Sequence, residues 1–299
     1  MRRISTATRV VNKFGAGKDG FTNGDAVGGI AATDLEDVWF DHVQEEIANA
    51  IELSGQTLSN SDRTQLSKAF KGRLLRTSVY TLVGGVQMVS VNGGAFTATG
   101  ASTWAPLSQT STYQVTGSGS GGGGGGAVAV SAGQTCAASA GGAGAYAVGI
   151  YNTVASQTVT IGAPGVGGVP SVSGATVGAT CSFGSLMTLP GGTIGVNVAV
   201  SAFSVGSGNS ASPSGSNLIV SMPGQGGGNA SGTAGTSAFS GVSGNNPLGI
   251  GDISHVSAVG ATGNGYGSGG GGAAQSGGAN AARNGGNGAP GAFIVQEFS

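Results

Sequence analysis

Ser118-Gly119-Ser120-Gly121-Gly122-Gly123-Gly124-Gly125-Gly126 lies near the middle of a 299-residue chain, and six of its glycines are consecutive. A second dense run is Gly263-Asn264-Gly265-Tyr266-Gly267-Ser268-Gly269-Gly270-Gly271-Gly272. Such composition usually marks a flexible linker. Three features oppose that reading. Apolar clusters interrupt the glycines at 145–151, 154–161, 194–200 and 218–222. Some of them alternate as half-buried strands do, as with Val196, Val198 and Val200. The region is also almost free of charge, whereas disordered tracts are usually charged or poor in apolar residues.

Residues 117–299 hold 50 of the 63 glycines, so the ordering problem is severe. Glycine loses more backbone entropy on folding than any other residue and has no side chain to bury. The compensation has to come from backbone groups at close approach. Extended left-handed helices with three residues per turn pack tightly where glycine leaves room. Collagen is excluded, because there is no strict Gly-X-Y period and only 8 prolines are present. The expectation is a set of polyglycine-II-like helices, bonded to one another through N–H and C=O groups and mixed with short strands.

Outward from that region, the charges are segregated. Ten of the 11 Lys/Arg and ten of the 12 Asp/Glu lie in residues 1–76. Beyond Arg76 the only Asp, Glu, Lys or Arg residues are Asp252, Arg283 and Glu297. The break marks a domain boundary. A net charge of −1 gives no electrostatic basis for binding nucleic acid or an anionic membrane. No stretch reaches the ~18 apolar residues of a membrane helix. Arg2 and Arg3 are not followed by the apolar core of a secretory signal, which predicts assembly in the cytoplasm. Cys136 and Cys181 make neither a disulfide framework nor a zinc site and read as small buried residues. Gly15-Ala16-Gly17-Lys18-Asp19-Gly20 fails as a phosphate loop, because Asn12 and Asp19 stand where that motif needs Gly and Ser/Thr.

The first helix is the clearest element of residues 1–76. Thr33-Asp34-Leu35-Glu36 fits a capping box. Leu35, Trp39, Val43, Ile47 and Ile51 then recur every four residues on one face, opposite Asp37, Asp41, Glu45 and Glu52. Gly55 is a natural stop. A second helix is expected over about 61–73, with Leu66, Phe70 and Leu74 on its buried face. Together they predict a helical hairpin, too small to be stable alone and packed against its own copies or a partner. The i+4 spacing disfavours a long coiled coil. From residue 79 the period changes. Val86–Val91 reads as a strand and Asn92-Gly93-Gly94 as a turn, predicting a β neck over 77–116.

These residues resemble a known family. Trp39, Val43-Gln44-Glu45-Glu46-Ile47, Ile51-Glu52, Ser54-Gly55 and Asp62-Arg63-Thr64-Gln65-Leu66 are similar to the N-terminal segment of many bacteriophage tail-fibre proteins. The distal half resembles the glycine-rich domain at the ends of phage fibres and adhesins. The matching pieces, in order, begin with Tyr113-Gln114-Val115-Thr116 before 119–126, then Tyr146–Tyr151, and then Thr158-Val159-Thr160-Ile161-Gly162-Ala163-Pro164-Gly165. Cys181-Ser182-Phe183-Gly184 and the closing 285–297 follow. The chain departs from that pattern at Gln134-Thr135-Cys136, where the family is richer in glycine. The resemblance implies a virion-proximal N-terminus, a receptor-recognition tip and, as in T-even-like adhesins, a polyglycine-II lattice with variable loops that touch the host.

Catalysis is argued against by composition. Acid–base or glycosidase chemistry needs two carboxylates a few ångströms apart. The distal region has only Asp252 and Glu297, with Glu297 expected to be solvated or paired. His255 has no Ser-His-Asp signature near it. Recognition is expected from loops that offer aromatic and amide groups. One candidate loop spans 203–217, with Phe203, Asn209 and Asn217. Another spans 239–255, with Phe239, Asn245, Asn246, Asp252 and His255; Tyr266 is a further candidate. The bland alternative is that these are connecting turns and that both Phe residues are core plugs.

The expected fold is thus mixed: an N-terminal helical hairpin, a short β region, and a Gly-rich distal domain with polyglycine-II-like helices and short strands. The expected domains are 1–76 for virion attachment, 77–116 as a β neck and 117–299 for receptor recognition. The expected protein is a non-enzymatic phage tail fibre of the virion tail, without cofactor or metal. It attaches to tail or baseplate proteins and to itself as a homotrimer through Leu35, Trp39, Val43, Ile47 and Ile51. Its tip binds a bacterial polysaccharide, pilus or outer-membrane protein, with neither nucleic-acid binding nor membrane insertion. The alternative is a structural tail-tip or baseplate protein that positions a separate receptor-binding subunit.

Overall fold

The computed structural model describes residues 3–70, 72–100, 102–278 and 280–299. The chain divides into two compact units, residues 1–73 with Ser299, and Leu74–Phe298. The architecture is predominantly β, which overturns the mixed class. Among the described residues there are two helices, α1 (Asp37–Leu53) and α2 (Gln65–Ala69), and neither lies in the second unit.

The helical hairpin is not formed as expected, and side-chain chemistry explains why. Glu36, expected inside the helix, is the N-cap, and it makes no side-chain capping bond. Its carboxylate instead accepts the Ser5 amide at 3.0 Å. Thr33 Oγ1 accepts the Thr22 amide at 2.9 Å and donates to the Thr8 carbonyl. The capping-box residues therefore hold the preceding irregular segment. At the other end the Gly55 amide bonds the Glu52 carbonyl at 2.8 Å, with φ of +86°, and the helix stops there. The second helix is a five-residue turn. Asp62 accepts the Thr64 amide at 2.9 Å and its hydroxyl at 2.6 Å, which fixes a turn where the helix was expected to begin.

The second unit starts with β1 (Leu74–Val83), β2 (Val86–Val91), β3 (Thr97–Ala98), β4 (Ser102–Trp104), β5 (Thr112–Ser118) and β6 (Cys136–Ala137). It continues with β7 (Tyr146–Tyr151), β8 (Gln157–Thr160), β9 (Cys181–Phe183), β10 (Met187–Leu189), β11 (Ser214–Gly215) and β12 (Leu218–Met222). It ends with β13 (Ser231–Thr233), β14 (Ser237–Phe239), β15 (Gly249–Ile250), β16 (Asn264–Gly265), β17 (Ala274–Gln275) and β18 (Ala292–Phe298).

Seven strands form one antiparallel sheet in the order β12-β7-β5-β18-β1-β2-β3, and five form another in the order β11-β10-β9-β8-β4. The strands of the expected neck thus pair in one sheet with strands of the distal region. The tight β1–β2 turn uses Gly84 and Gly85 at φ of +60° and +80°, the backbone a two-residue hairpin requires.

Period-two alternation turns one face of each sheet inward. Tyr113, Val115, Phe293 and Val295 from the larger sheet meet Val159, Cys181, Phe183, Met187 and Leu189 from the smaller, with Trp104 among them. The same alternation carries Glu297 inward, fully buried. Its carboxylate pairs with Arg76 and accepts Trp104 Nε1 at 3.2 Å, the Leu107 amide at 2.9 Å and Thr110 Oγ1 at 2.8 Å. Burial pushes that carboxyl's pKa up, but Arg76, Leu107 and Thr110 outweigh it and hold the group below its ordinary value. Both cysteines are free and buried, and burial pushes both thiols up.

Apart from Asn264–Gly265 in β16, the glycine-rich runs 119–126 and 263–272 belong to neither helix nor sheet. The expected polyglycine-II-like helices are replaced by extended single segments that bond sideways to one another. Amides of Gly121, Gly124 and Ala127 donate to carbonyls of Ala289, Gly286 and Arg283, each at 2.9 Å. Gly122 and Gly125 donate to Gly142 and Ser139, also at 2.9 Å. Carbonyls of the same run accept from Gly165, Gly168, Gly192, Gly195 and Gly270 at 2.7–2.9 Å. A Cβ on Gly124 would collide with the Gly271 carbonyl, and one on Gly122 with the Thr193 carbonyl. Close approach of backbone to backbone is what requires glycine here.

Candidate receptor-binding face

The structure brings the two expected recognition loops to opposite sides of one extended run, 224–230. The Ala230 amide bonds the Ser204 carbonyl at 3.0 Å and the Ser210 amide bonds the Gly224 carbonyl at 3.1 Å. Across the run, the Gly228 amide bonds the Val242 carbonyl at 2.7 Å and the Gln225 amide the Asn245 carbonyl at 3.4 Å. The 239–255 segment then folds back on itself. Ser240 bonds His255 and Ser243 bonds Asp252, both at 2.9 Å, and Asn246 and Gly249 exchange bonds of 3.1 Å. Four extended runs thereby lie side by side.

Amide side chains act as rungs between them. Asn209 Oδ1 accepts the Gly226 amide at 2.8 Å, Asn229 Oδ1 the Gly206 amide, and Asn245 Oδ1 the Gly251 amide at 2.6 Å. At the far end His255 Nε2 meets Asp252 Oδ2 at 2.6 Å, and that oxygen also accepts the Ala261 amide at 3.0 Å. The other Asp252 oxygen accepts the Ile253 amide at 2.9 Å. Both carboxylate oxygens are engaged in holding the loop.

The expected site residues separate into two groups. Asn209, Asn217, Phe239 and Asn245 are exposed. Asn217 sits in a turn at φ of +52°, its carbonyl accepting the Ile150 amide at 3.3 Å. Phe203 is half-buried against Ala137, Ala230, Ala238 and Ala274. Asn246 is half-buried, donating to Ser118 Oγ at 2.7 Å and accepting the Leu248 amide at 2.8 Å. Tyr266 is half-buried, its amide bonded to the Leu248 carbonyl at 2.9 Å. His255 is partly exposed beside Asp252.

Sequence reasoning missed the aliphatic residues of the same runs. Val205, Ile250 and Ile253 are 75%, 72% and 70% exposed, and Val242 is exposed as well. Isolated aliphatic residues among Gly, Ser and Asn were the available signal, and they read equally well as core. With exposed Asn209, Gln225, Asn229 and Asn245, they make a surface that offers apolar area and amide groups with almost no charge. A surface of this composition offers desolvation and hydrogen bonding, not charge, to whatever touches it.

In the first unit, the expected attachment stripe is partly uncovered. Ile51 is buried and Trp39 and Val43 are half-buried, whereas Leu35 is 66% exposed and Ile47 is exposed. Trp39 stacks edge-on with Phe21 and Phe40 at 5.1 and 5.2 Å. A cleft of about 370 Å³ beside it is lined by Arg3, Ile4, Phe14, Asp19, Gly20, Phe21 and Trp39. Among the described residues, no group of three or more His, Cys, Asp or Glu is placed to hold a metal, and no helix is long and apolar enough to cross a membrane.

No family model matches the chain. A stretch of 75 residues, 25% of this chain, is 47% identical to the uncharacterized protein StfP of Escherichia coli (strain K12). The match spans 36% of that protein, about a third of its length.

Proposed function

We propose that the chain is a bacteriophage tail fibre whose first unit attaches to the tail or baseplate and whose second unit recognises the bacterial surface without catalysis. The observation that carries the reading is the charge-poor face formed where 203–210, 224–230 and 239–255 run together. Its exposed aliphatic and amide groups suit non-covalent adhesion, and both carboxylates of the second unit are committed to protein partners. The tail-fibre role rests on the resemblance of Trp39 and residues 43–47 and 62–66 to the N-terminal segment of such proteins. Assembly as a homotrimer in the virion tail would multiply weak contacts through avidity. Purified full-length chain should compete with phage particles for adsorption to host cells. A folded chain that leaves adsorption unchanged would favour the second reading, a structural tail-tip protein that positions another receptor-binding subunit.

Attachment through α1 gives a separate prediction. Leu35→Ser and Ile47→Ser should alter stability by about 0.5 kcal/mol or less, because both positions are exposed. Incorporation into particles, measured by immunoblot of purified virions, should nevertheless fall sharply. Normal incorporation of both folded variants would remove α1 from the attachment surface.

A further inference from the structure

We propose that Asn264 is a site of spontaneous deamidation, the one Asn-Gly pair in the chain that the fold leaves open to cyclisation. The chain contains five such pairs, at Asn23, Asn92, Asn264, Asn284 and Asn287. Reaction requires the following glycine amide nitrogen to reach the Asn side-chain carbonyl carbon. A glycine at that position removes the Cβ that would hinder approach.

Four pairs are restrained. The Gly285 amide is bonded to the Gly168 carbonyl at 3.0 Å and the Gly288 amide to the Gly165 carbonyl at 2.8 Å, both within the packed glycine segments. The Gly24 amide donates to Thr22 Oγ1 at 3.1 Å. At Asn92 the electrophile is held instead, because its Oδ1 accepts the Thr77 amide at 2.9 Å while its own amide bonds the Thr77 carbonyl at 2.8 Å.

Asn264-Gly265 is different. Both residues are exposed, and β16 pairs antiparallel with β15, Gly265 opposite Gly249 and Asn264 opposite Ile250. The Tyr266 amide bonds the Leu248 carbonyl at 2.9 Å, which makes that pair a hydrogen-bonded one. Bonded and non-bonded pairs alternate along an antiparallel ladder. Gly265 and Gly249 are therefore a non-bonded pair, and the Gly265 amide points away from the ladder. The Gly249 amide turns instead to the Asn246 carbonyl at 3.1 Å. The Asn264 carbonyl accepts Ser268 Oγ at 2.9 Å, but the two reacting groups themselves, the Gly265 amide and the Asn264 side chain, have no hydrogen-bond partner among the described residues.

The step is self-contained. The Gly265 nitrogen bonds to the Asn264 side-chain carbon, the C–N bond to the amide nitrogen breaks, and ammonia leaves with the proton. Water opens the resulting succinimide at either carbonyl, giving aspartate or isoaspartate. The product adds a carboxylate to a unit that otherwise holds only Asp252 and Glu297 beyond Arg76. Isoaspartate also lengthens the backbone within β16 and disturbs its pairing with Ile250, which lies on the face described above.

Intact protein aged in mildly alkaline buffer and mapped by peptide mass spectrometry tests this. Asn264 should convert first, about tenfold or more faster than any other pair, since releasing one hydrogen-bonded group slows the others by about that factor. In denaturant the five sites should converge. Asn264→Gln should abolish the early acidic form seen by ion exchange while leaving the fold unchanged. Equal rates at Asn284 or Asn92 in the folded protein, or no early conversion at Asn264, would overturn the proposal.

Discussion

Gly124→Ala should destabilise the second unit by about 3 kcal/mol or more. The added methyl group would collide with the Gly271 carbonyl, and main chain cannot rotate aside as a side chain does. Gly124 cannot retreat either. Its amide bonds Gly286 at 2.9 Å and its carbonyl accepts from Gly168 at 2.8 Å, so a shift loosens neighbours on both sides. For a unit of this size the melting temperature should fall by about 10 °C. Gly208→Ala is the matched control. A Cβ there meets nothing within 4 Å, and the backbone needs no positive φ. That variant should be neutral or gain about 0.4–1 kcal/mol by restricting the unfolded chain. Thermal melts that give both variants the same midpoint would show that the glycine runs are not close-packed.

The second large effect concerns Glu297. Glu297→Ala should lose about 3–5 kcal/mol, because it removes the ion-pair partner of Arg76, which keeps only the Ala105 carbonyl, and leaves Trp104, Leu107 and Thr110 without their acceptor. Glu297→Gln keeps the volume but turns an amide donor toward groups that are themselves donors, so it should also destabilise. The two differ from wild type in pH dependence as well. The folded carboxyl is held below its ordinary value, so the unfolded chain takes up the proton first. The stabilisation is fully present above the unfolded value of about 4.3 and is lost as pH falls through the folded one. Wild-type stability should decline across that acid window, and the decline due to this group should vanish in Glu297→Gln. Denaturant melts across the window check it, and an unchanged acid profile in the variant would contradict the buried pairing.

Part of this was legible in the residues. The charge break after Arg76 lies close to the structural division after Arg73. Val86–Val91 and the Asn92-Gly93 turn are where periodicity placed them, with Asn92 and Gly93 at φ of +51° and +75°. The helices were overread for a specific reason. Thr33 and Glu36 have the chemistry of a capping box, yet both serve contacts to residues 5–22, which sequence spacing does not encode. The second helix is shortened for a similar reason, because Asp62 accepts the Thr64 amide and hydroxyl and closes a turn that spacing does not reveal. The glycine runs were read correctly as ordered but wrongly as helices. Periodicity cannot show whether such runs coil as elements or lie extended between distant neighbours.

The exposed face proposed for recognition was half legible in the sequence. Asn209 and Asn245 stand out in sequence as amides in glycine-rich loops and are exposed, whereas Asn246 and Phe203, from the same loops, are half-buried. Ile250 and Ile253 were missed because an aliphatic residue is normally assigned to a core. Burial of Glu297 was recoverable in principle. Phe293, Val295 and Glu297 share one strand face, so the alternation that buries the first two buries the third.

The most direct test of recognition by the second unit is adsorption competition with folded variants. Wild-type chain should block phage adsorption in a dose-dependent way. Ile253→Asp, which places a charge on the exposed aliphatic surface without touching the core, should melt like wild type yet lose at least about tenfold in potency. Equal blocking by wild type and Ile253→Asp would place the receptor contact elsewhere. No blocking by the folded wild-type chain would contradict receptor recognition by this protein.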